Sequence, residues 1–328
     1  MNSNAQSRRR VTTLMLSLGL AGLLTAPASD AAAQSRVTYK SAKSGTSYFQ
    51  MAVEISQAMK AGSDGKIIVT VEESQGSVQN VLEAAARGGN YVFTTPPALV
   101  EQAIEGAGPF KDKANPKFAD IRGLFPIPSL TMHFVVRDNA GIKTFADLAG
   151  KNLLLGKGSF SAREGEKYLK LFGLEGKVKL AEVELSNAVA ALKNGQIDGF
   201  VTAGSYPAPN VIEAAAGTGV QVLSLTDDQV KQTGATRFVI PAGTYAGQKQ
   251  DVVTTSLPVI AYGTTQMDDE TAYQLTRTYW TQRDKMAATA PWWGGVDKAM
   301  LATIPGKIHA GALRYYKEAG YAVSDANK

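Results

Sequence analysis

The sequence predicts an α/β protein of two lobes, in which each lobe is a sheet of βα units with helices on both faces. Three observations predict this fold class. Short β-branched runs alternate with stretches whose apolar residues recur at helical spacing. The loops that join them are rich in Gly, Ser and Thr. Two strand-like segments far apart in the sequence, 132–136 and 252–262, indicate that the chain crosses twice between the lobes.

Residues 1–33 have the pattern of a secretory signal peptide. Arg8, Arg9 and Arg10 precede a short apolar stretch over 11–24, and the three alanines at 31–33 offer a cleavage site. A second cleavage site at 26–28 and an uncleaved membrane anchor are the alternatives. We expect cleavage after residue 33 and a periplasmic location for the rest of the chain.

Composition narrows the function classes. The 328 residues include no cysteine, which excludes disulfides, thiolate metal sites and a cysteine nucleophile. The formal net charge is +5, and since residues 1–33 hold three arginines and one aspartate, +3 remains from residue 34 onward. No run of Lys and Arg with interleaved aromatics follows, so we expect no nucleic-acid partner. The mild positive bias suits an anionic solute.

The first lobe begins with successive strand–helix units. Strands are predicted over 37–39, 67–71 and 91–93, where β-branched and aromatic residues cluster. Helices are predicted in the segments 48–59 and 78–85, where apolar residues recur at helical spacing. The order strand, loop, helix therefore repeats.

The second lobe repeats this alternation after a short helix at 145–150 that ends on a glycine. Its predicted elements are strands over 152–155, 179–184, 200–202 and 220–223, and helices over 162–172, 187–193 and near 211–215.

The two crossing segments set the lobe boundaries. The strand at 252–262 is followed by acidic residues at 268–270, which favour the start of a helix there. We expect lobe I to comprise residues 34–131 plus 256–328, and lobe II residues 132–255.

Candidate ligand-binding residues follow the strands, because ligands of open α/β sheets bind at the carboxyl ends of strands. Hydroxyls and helix-start N–H groups there suit a carboxylate or phosphate oxygen. An ordinary helix cap is the alternative for each Ser or Thr. In the first lobe the candidates are Ser44, Gly45, Thr46, Tyr48, Gly76, Ser77, Asn80, Thr94 and Thr95.

The second lobe adds a glycine-rich loop at 156–161 and the segment 203–209. The loop lacks the Gly-Lys-Ser/Thr ending of a nucleotide-binding loop. Lys157 or Arg163 is expected to balance a carboxylate, unless both are ordinary solvated charges. The candidates in this lobe are Lys157, Gly158, Ser159, Ser161, Arg163, Gly204, Ser205 and Tyr206.

Catalytic equipment is sparse. The only histidines are His133 and His309, and neither an H-E-x-x-H nor a G-x-S-x-G motif occurs. Ser63 precedes Lys66 by three positions, but in a predicted turn. We expect no enzyme, no catalytic residue, no cofactor and no metal-ligating residue, although a metal ion assisting ligand binding stays open. A periplasmic serine hydrolase and a surface interaction protein without a solute are the alternatives.

Six short motifs carry a family resemblance. They are SGTSY at 44–48, QGSVQN at 75–80, GKGS at 156–159, LKNGQID at 192–198, PAGTY at 241–245 and IHAGALRYY at 308–316. Together they make the chain resemble the TAXI family of solute receptors for TRAP (tripartite ATP-independent periplasmic) transporters, over essentially all of the sequence after the signal peptide.

The resemblance implies a two-lobed, type II periplasmic-binding-protein fold with the ligand between the lobes. It also implies a function: binding a small organic anion, glutamate-like or a dicarboxylate, and delivering it to the membrane permease subunits. This chain departs from the commoner family form at 158–161, where many members have Gly-Ser-Gly-Thr, and at 94–97, which replaces a more polar stretch. Both departures lie at predicted ligand loops.

Overall fold

A computed structural model describes residues 34–328. The predicted signal peptide over 1–33 lies outside the described residues. Among the helices of residues 34–328, none has the length and apolar character needed to cross a bilayer.

The first part of the described chain alternates strands with helices. Its elements are β1 (Ser35–Lys40), α1 (Ser47–Gly62), β2 (Ile67–Glu72), α2 (Ser77–Ala84), β3 (Tyr91–Thr95) and α3 (Pro97–Glu105). β1 pairs in parallel with both β2 and β3. The carboxyl ends of these three strands, and the loops that lead to α1 and α2, therefore lie at one edge of the sheet.

The middle of the chain is framed by two long strands and is followed by two helices. In order the elements are β4 (Ile121–Arg137), β5 (Asn152–Leu154), α4 (Phe160–Leu171), β6 (Lys179–Ala181), α5 (Ala188–Lys193), β7 (Gly199–Gly204), α6 (Pro209–Thr218), β8 (Val220–Val222), α7 (Asp227–Thr233), β9 (Thr236–Ile240), β10 (Val252–Thr264), α8 (Asp269–Thr289) and α9 (Ala310–Glu318).

The strands of residues 34–328 form one sheet in the order β2-β1-β3-β10-β4-β7-β5-β6, with β8 on β4 and β9 on β10. β4 and β10 are antiparallel neighbours in the middle of it. β10 pairs with β3 at one end and with β9 at the other. These two crossing strands therefore connect the two halves of the sheet.

The buried apolar side chains divide in the same way. One cluster draws its fully buried members from 37–130 and 259–316. Two further clusters draw theirs from 132–230 and 135–252. We call the half around the first cluster the first lobe and the half around the other two the second lobe. The boundaries expected at 131/132 and 255/256 stay a prediction.

The structure extends the strand predicted at 132–136 back to Ile121. No element was predicted over 121–131, where Pro126 and Pro128 cannot donate to a β-ladder. The strand accommodates them at a register shift against β10, and both proline carbonyls accept tyrosine hydroxyls, from Tyr279 and Tyr48. The irregular segment is therefore fixed by side chains as well as by pairing.

The short helix expected at 145–150 is a single 3₁₀ turn, Phe145–Leu148. A capping box of Thr144 and Asp147 starts the turn, and Ala149 already has an extended conformation. Four residues do not complete the hydrogen-bonded turns that an α-helix needs.

Candidate functional site

A cleft between the lobes is lined by the loops that follow β1 and β2 and by the end of β3 in the first lobe, and by the loops that follow β5 and β6 and the end of β7 in the second. We call it the front cleft. Its lining is Ser41, Ala42, Lys43, Thr46, Tyr48, Gln75, Gly76, Ser77, Thr94, Leu130, Ser159, Phe160, Ser161, Leu185, Ala203 and Val259. It leaves about 70 Å³ for the centres of water molecules.

Two helix N-termini from opposite lobes meet in this cleft. α2 begins after Gly76, which has a φ of +114° and no side chain to cap the helix. α4 begins after Ser159, whose hydroxyl accepts a hydrogen bond from the Ala162 N–H at 3.1 Å. A Cβ atom on Gly76 would lie only 3.7 Å from the Phe160 nitrogen. The positive ends of both helix dipoles therefore point at one small volume, an arrangement that favours an anion.

The serines at these two helix starts have different local tasks. Ser77 is half-buried, and its hydroxyl makes no hydrogen bond to any residue from 34 to 328. Ser161 is buried, and its hydroxyl accepts the Ala203 N–H at 2.8 Å. Ser77 thus offers an uncommitted hydroxyl to the cleft, whereas Ser161 ties α4 to β7.

Three first-lobe hydroxyls in the lining already hold other groups. Thr46 caps α1 by accepting the Phe49 N–H at 3.4 Å. Tyr48 donates to the Pro128 carbonyl at 2.7 Å, and its burial raises the pKa of its hydroxyl well above the ordinary range, so the hydroxyl stays neutral. Thr94 bonds the Tyr39 hydroxyl at 2.9 Å. These side chains shape the wall and hold it in place.

Asn80 and Thr95 are fully buried behind that wall and do not line the cleft. The Asn80 amide donates to the carbonyls of Ser41 and Thr94, at 2.8 and 2.9 Å. It thereby holds the carboxyl ends of β1 and β3 side by side. The Asn80 side-chain oxygen and the Thr95 hydroxyl have no partner within the described part of the chain.

Lys43 is the charged residue of the lining, and sequence reasoning missed it. Its ammonium nitrogen lies 3.6 Å from a carboxylate oxygen of Glu184 in the second lobe. The sequence could have predicted Lys43 as a lining residue, because it lies in the same loop after β1 as the predicted Ser44. Gln75 adjoins a predicted loop in the same way, whereas no local pattern marks Leu185.

The two cations that were expected near the ligand lie outside the lining. Lys157 is exposed and pairs with Glu182 at 2.9 Å, which raises the pKa of Lys157. Arg163, in the first turn of α4, is half-buried, and burial lowers its pKa. One of its terminal nitrogens is buried without a partner among residues 34–328. Neither side chain meets the solute volume in this arrangement of the lobes.

Three glycine or serine candidates of the connecting loops also lie outside the lining. Ser44, Gly45 and Gly158 are exposed. The Ser44 N–H donates to Glu73 at 3.2 Å, and hydrogen bonds from Ser44 lower the pKa of that carboxyl group. These residues belong to the outer rim of the loops.

The lobes touch directly beside the front cleft. The Ser47 hydroxyl, at the start of α1, accepts the N–H of Ser205 at 3.0 Å, and both residues are buried. Gly204 makes this contact possible, because a Cβ atom there would lie 2.5 Å from the Ser47 hydroxyl oxygen. This arrangement is therefore a closed one.

Ser205 and Tyr206 line a different cavity, on the opposite face of the crossing strands. We call it the rear cavity. Its lining is Pro128, Ser129, Thr131, Ser205, Tyr206, Thr236, Phe238, Ser256, Pro258, Pro291, Trp292, Gly295, Met300 and Thr303. It leaves about 350 Å³ for the centres of water molecules. The predicted site residues are thus divided between two cavities.

The histidines and the Ser63–Lys66 pair serve structure. His133 is fully buried, with its ring nitrogens 3.0 Å from the Thr131 carbonyl and 2.8 Å from the Tyr245 hydroxyl. Burial lowers the pKa of His133 to about 4. Ser63 ends α1, and its hydroxyl accepts the Ile67 N–H at 2.9 Å. Residues 34–328 contain no group of three His, Asp or Glu placed to hold a metal ion.

Comparison with known proteins agrees with this architecture. The NMT1-like family matches residues 40–320. Malate-bound MatC from Rhodopseudomonas palustris is 13% identical, with a TM-score of 0.54 over 80% of this chain and 90% of that one. An adipate-bound R. palustris protein is 14% identical, with a TM-score of 0.55 over 88% and 99%. The periplasmic binding protein BugD is 12% identical, with a TM-score of 0.53 over 88% and 99%. The chain therefore has the two-lobed fold of periplasmic binding proteins.

Proposed function

The chain belongs to the NMT1-like family, and from this premise we propose that it is a periplasmic receptor whose lobes close around a small organic anion. In this proposal the solute is glutamate-like or a dicarboxylate. The receptor hands it to the membrane permease of a TRAP-type transporter, as the resemblance to the TAXI family implies.

The observation that carries the proposal is the meeting of two helix N-termini in the front cleft. Each helix start presents N–H groups without intrahelical partners and about half a positive charge. Gly76 leaves its own helix start uncovered, and Lys43 adds a full positive charge to the same lining. No carboxylate residue lines the described cleft, and Glu184 beside it is already paired with Lys43, so a cationic solute would find no free counter-charge there.

The solute class follows from the number and placement of these positive groups. One carboxylate placed between α2 and α4 would contact both lobes at once. A second carboxylate would reach toward Lys43 by displacing Glu184 from it. MatC with malate and the R. palustris protein with adipate show that this fold accommodates dicarboxylates in other chains.

Closure is a hinge movement at the crossing strands. We propose residues 34–131 with 256–328 as one rigid lobe and 132–255 as the other, since their buried clusters are separate. A ligand that contacts both lobes favours closure because only the closed state lets it make both sets of contacts.

A charge reversal at the start of α2 tests the anion preference. Ser77→Asp places a carboxylate at the first helical position, where the helix dipole favours it, so folding is preserved. A carboxylate there repels an anionic solute, and we expect affinity to fall on the order of 100-fold. Binding of a dicarboxylate panel, malate included, is measured by calorimetry and thermal shift.

Ala98→Asp is the matched control, because it adds the same charge to the first turn of α3, at an exposed position outside the front cleft. This control should bind as the wild type does. A wild-type protein saturated at about 100 times its dissociation constant should gain about 2.7 kcal/mol of stability. Failure of every organic anion to stabilise the wild type, or equal binding by Ser77→Asp, would refute the proposal.

A further inference from the structure

We propose that the rear cavity is a second small-molecule site, which takes an uncharged aromatic compound and, when occupied, favours closure of the front cleft. The binding part of this proposal is independent of the proposed function, whereas the coupling part rests on the hinge closure proposed above.

The lining of the rear cavity defines the ligand class. Within the described chain it contains no charged side chain. Aromatic rings come from both sides, Tyr206 and Phe238 from the second lobe and Trp292 from the first. Its 350 Å³ lies within the range of ordinary small-molecule pockets. An ion would lose its hydration there without gaining a partner, so the cavity favours a neutral molecule.

The aromatic walls are held in position by contacts with each other and with a residue outside the lining. Tyr206 packs edge to face on Phe238, with ring centroids 4.9 Å apart. The Trp292 indole N–H donates to Glu54 at 3.0 Å, which fixes the indole by its polar edge. A flat ring between these walls gains aromatic contact without first ordering the protein.

Uncommitted hydroxyls at the base of the cavity give the ligand a polar end. Ser129 and Ser256 belong to the crossing strands, and their side chains make no hydrogen bond to residues 34–328, nor does the Tyr206 hydroxyl. A phenol-type compound matches this combination, because it presents a ring to the walls and one hydroxyl to the serines.

The crossing strands separate the two cavities. Successive side chains of a strand point to opposite faces. Leu130 and Val259 line the front cleft, whereas Ser129, Thr131, Ser256 and Pro258 line the rear cavity. A rotation about these strands that opens the front brings the rear walls together. The rear cavity is therefore widest in the closed arrangement, in which Ser47 contacts Ser205.

A compound in the rear cavity then binds the closed state better than the open state. By linkage it raises the affinity of the front cleft, and a front ligand raises its affinity by the same factor. A molecule that binds only one of two states can shift their populations without touching the other site.

The probe for the test is 4-methylphenol, titrated by calorimetry. Thr303→Trp fills the rim of the rear cavity, and we expect it to weaken binding roughly tenfold or more. Thr289→Trp is the matched control, since both threonines are exposed and each donates to the carbonyl three residues earlier, at 2.7 and 2.9 Å. Saturable binding lost only in Thr303→Trp supports the site. No saturable binding, or equal loss in both variants, overturns it.

The distance between the two lobes tests the coupling between the rear cavity and the front cleft. The chain has no cysteine, so spin labels at Gln50→Cys and Ser186→Cys, exposed positions on opposite lobes, report closure without background. We expect 4-methylphenol to increase the short-distance population, and an unchanged distribution overturns the coupling. Ser77→Asp should still bind 4-methylphenol with wild-type affinity. Failure of the anion proposal is thereby distinguished from failure of the rear site.

Discussion

In the front cleft two helix starts and Lys43 converge from the two lobes, whereas the rear cavity is lined by aromatic rings and hydroxyls and, within the described chain, by no charged side chain. Both cavities are lined by neighbouring residues of the same two strands. The alternation of side chains along β4 and β10 therefore gives one hinge two faces of different chemistry. A mutation that favours the open state should therefore weaken binding in both cavities, while a mutation in one lining should directly affect that cavity alone.

Gly204→Ala should have the largest effect on anion binding in the front cleft. Its Cβ atom would lie 2.5 Å from the Ser47 hydroxyl oxygen, so the lobes cannot close without strain. Such crowding costs about 1–3 kcal/mol, which weakens anion binding roughly 5- to 150-fold. Calorimetry with the best anion measures the loss.

Adding Ser47→Ala to Gly204→Ala provides the control. It removes the crowded oxygen and leaves the Ser47 Cβ position 3.7 Å away, an ordinary contact. Affinity should return toward that of Ser47→Ala alone. A double variant as weak as Gly204→Ala would mean that the alanine acts on β7 locally and not on closure.

Acid should act on the wall of the rear cavity through His133. His133 accepts a hydrogen bond from the Tyr245 hydroxyl, and that hydroxyl accepts one from the N–H of Ala208, two residues after Tyr206. Burial lowers the pKa of His133 from 6.5 to about 4. The unfolded chain therefore binds more protons, and the stability contributed by neutral His133 is present above pH 6.5 and lost as the pH falls toward 4.

The full loss is about 3 kcal/mol, as expected for a pKa difference of this size. Chemical denaturation at pH 7.5, 5.5 and 4 measures it. His133→Gln keeps a polar side chain without a titrating ring, so its stability should change less over the same range. An identical pH dependence in both proteins would assign the effect to other groups, among them His309, whose pKa burial also lowers.

Lys43→Met should give a smaller and more selective effect. It removes the cation of the front lining and should weaken dicarboxylate binding about tenfold, with a smaller loss for a monocarboxylate. Lys193→Met is the matched control, because Lys193 is also a partly exposed lysine, 3.3 Å from Glu213. Equal losses in both variants would show a general effect of net charge.

Sequence patterns located the strand ends but not the direction in which each loop turns. Ser77 and Ser159 were found because a glycine-containing loop precedes a helical pattern, and such loops lie at the ligand edge of an open sheet. Ser205 and Tyr206 follow a strand in the same way, yet they line the rear cavity. That outcome depends on the path of the chain after β7, which no local pattern encodes.

The first half of β4 was missed for a related reason. Its prolines argue against a strand locally, and only pairing with β10 and the hydroxyls of Tyr48 and Tyr279 hold it extended. Leu185 lines the cleft through tertiary packing alone. Residues whose role depends on partners far along the chain are the ones that sequence reasoning does not reach.

Native mass spectrometry of the gently purified protein tests the central claim most directly. The account predicts a co-purified small carboxylic acid on the wild type and on Ala98→Asp, and none on Ser77→Asp. A cationic solute on the wild type in place of a carboxylic acid, or the same acid retained by Ser77→Asp, would contradict it.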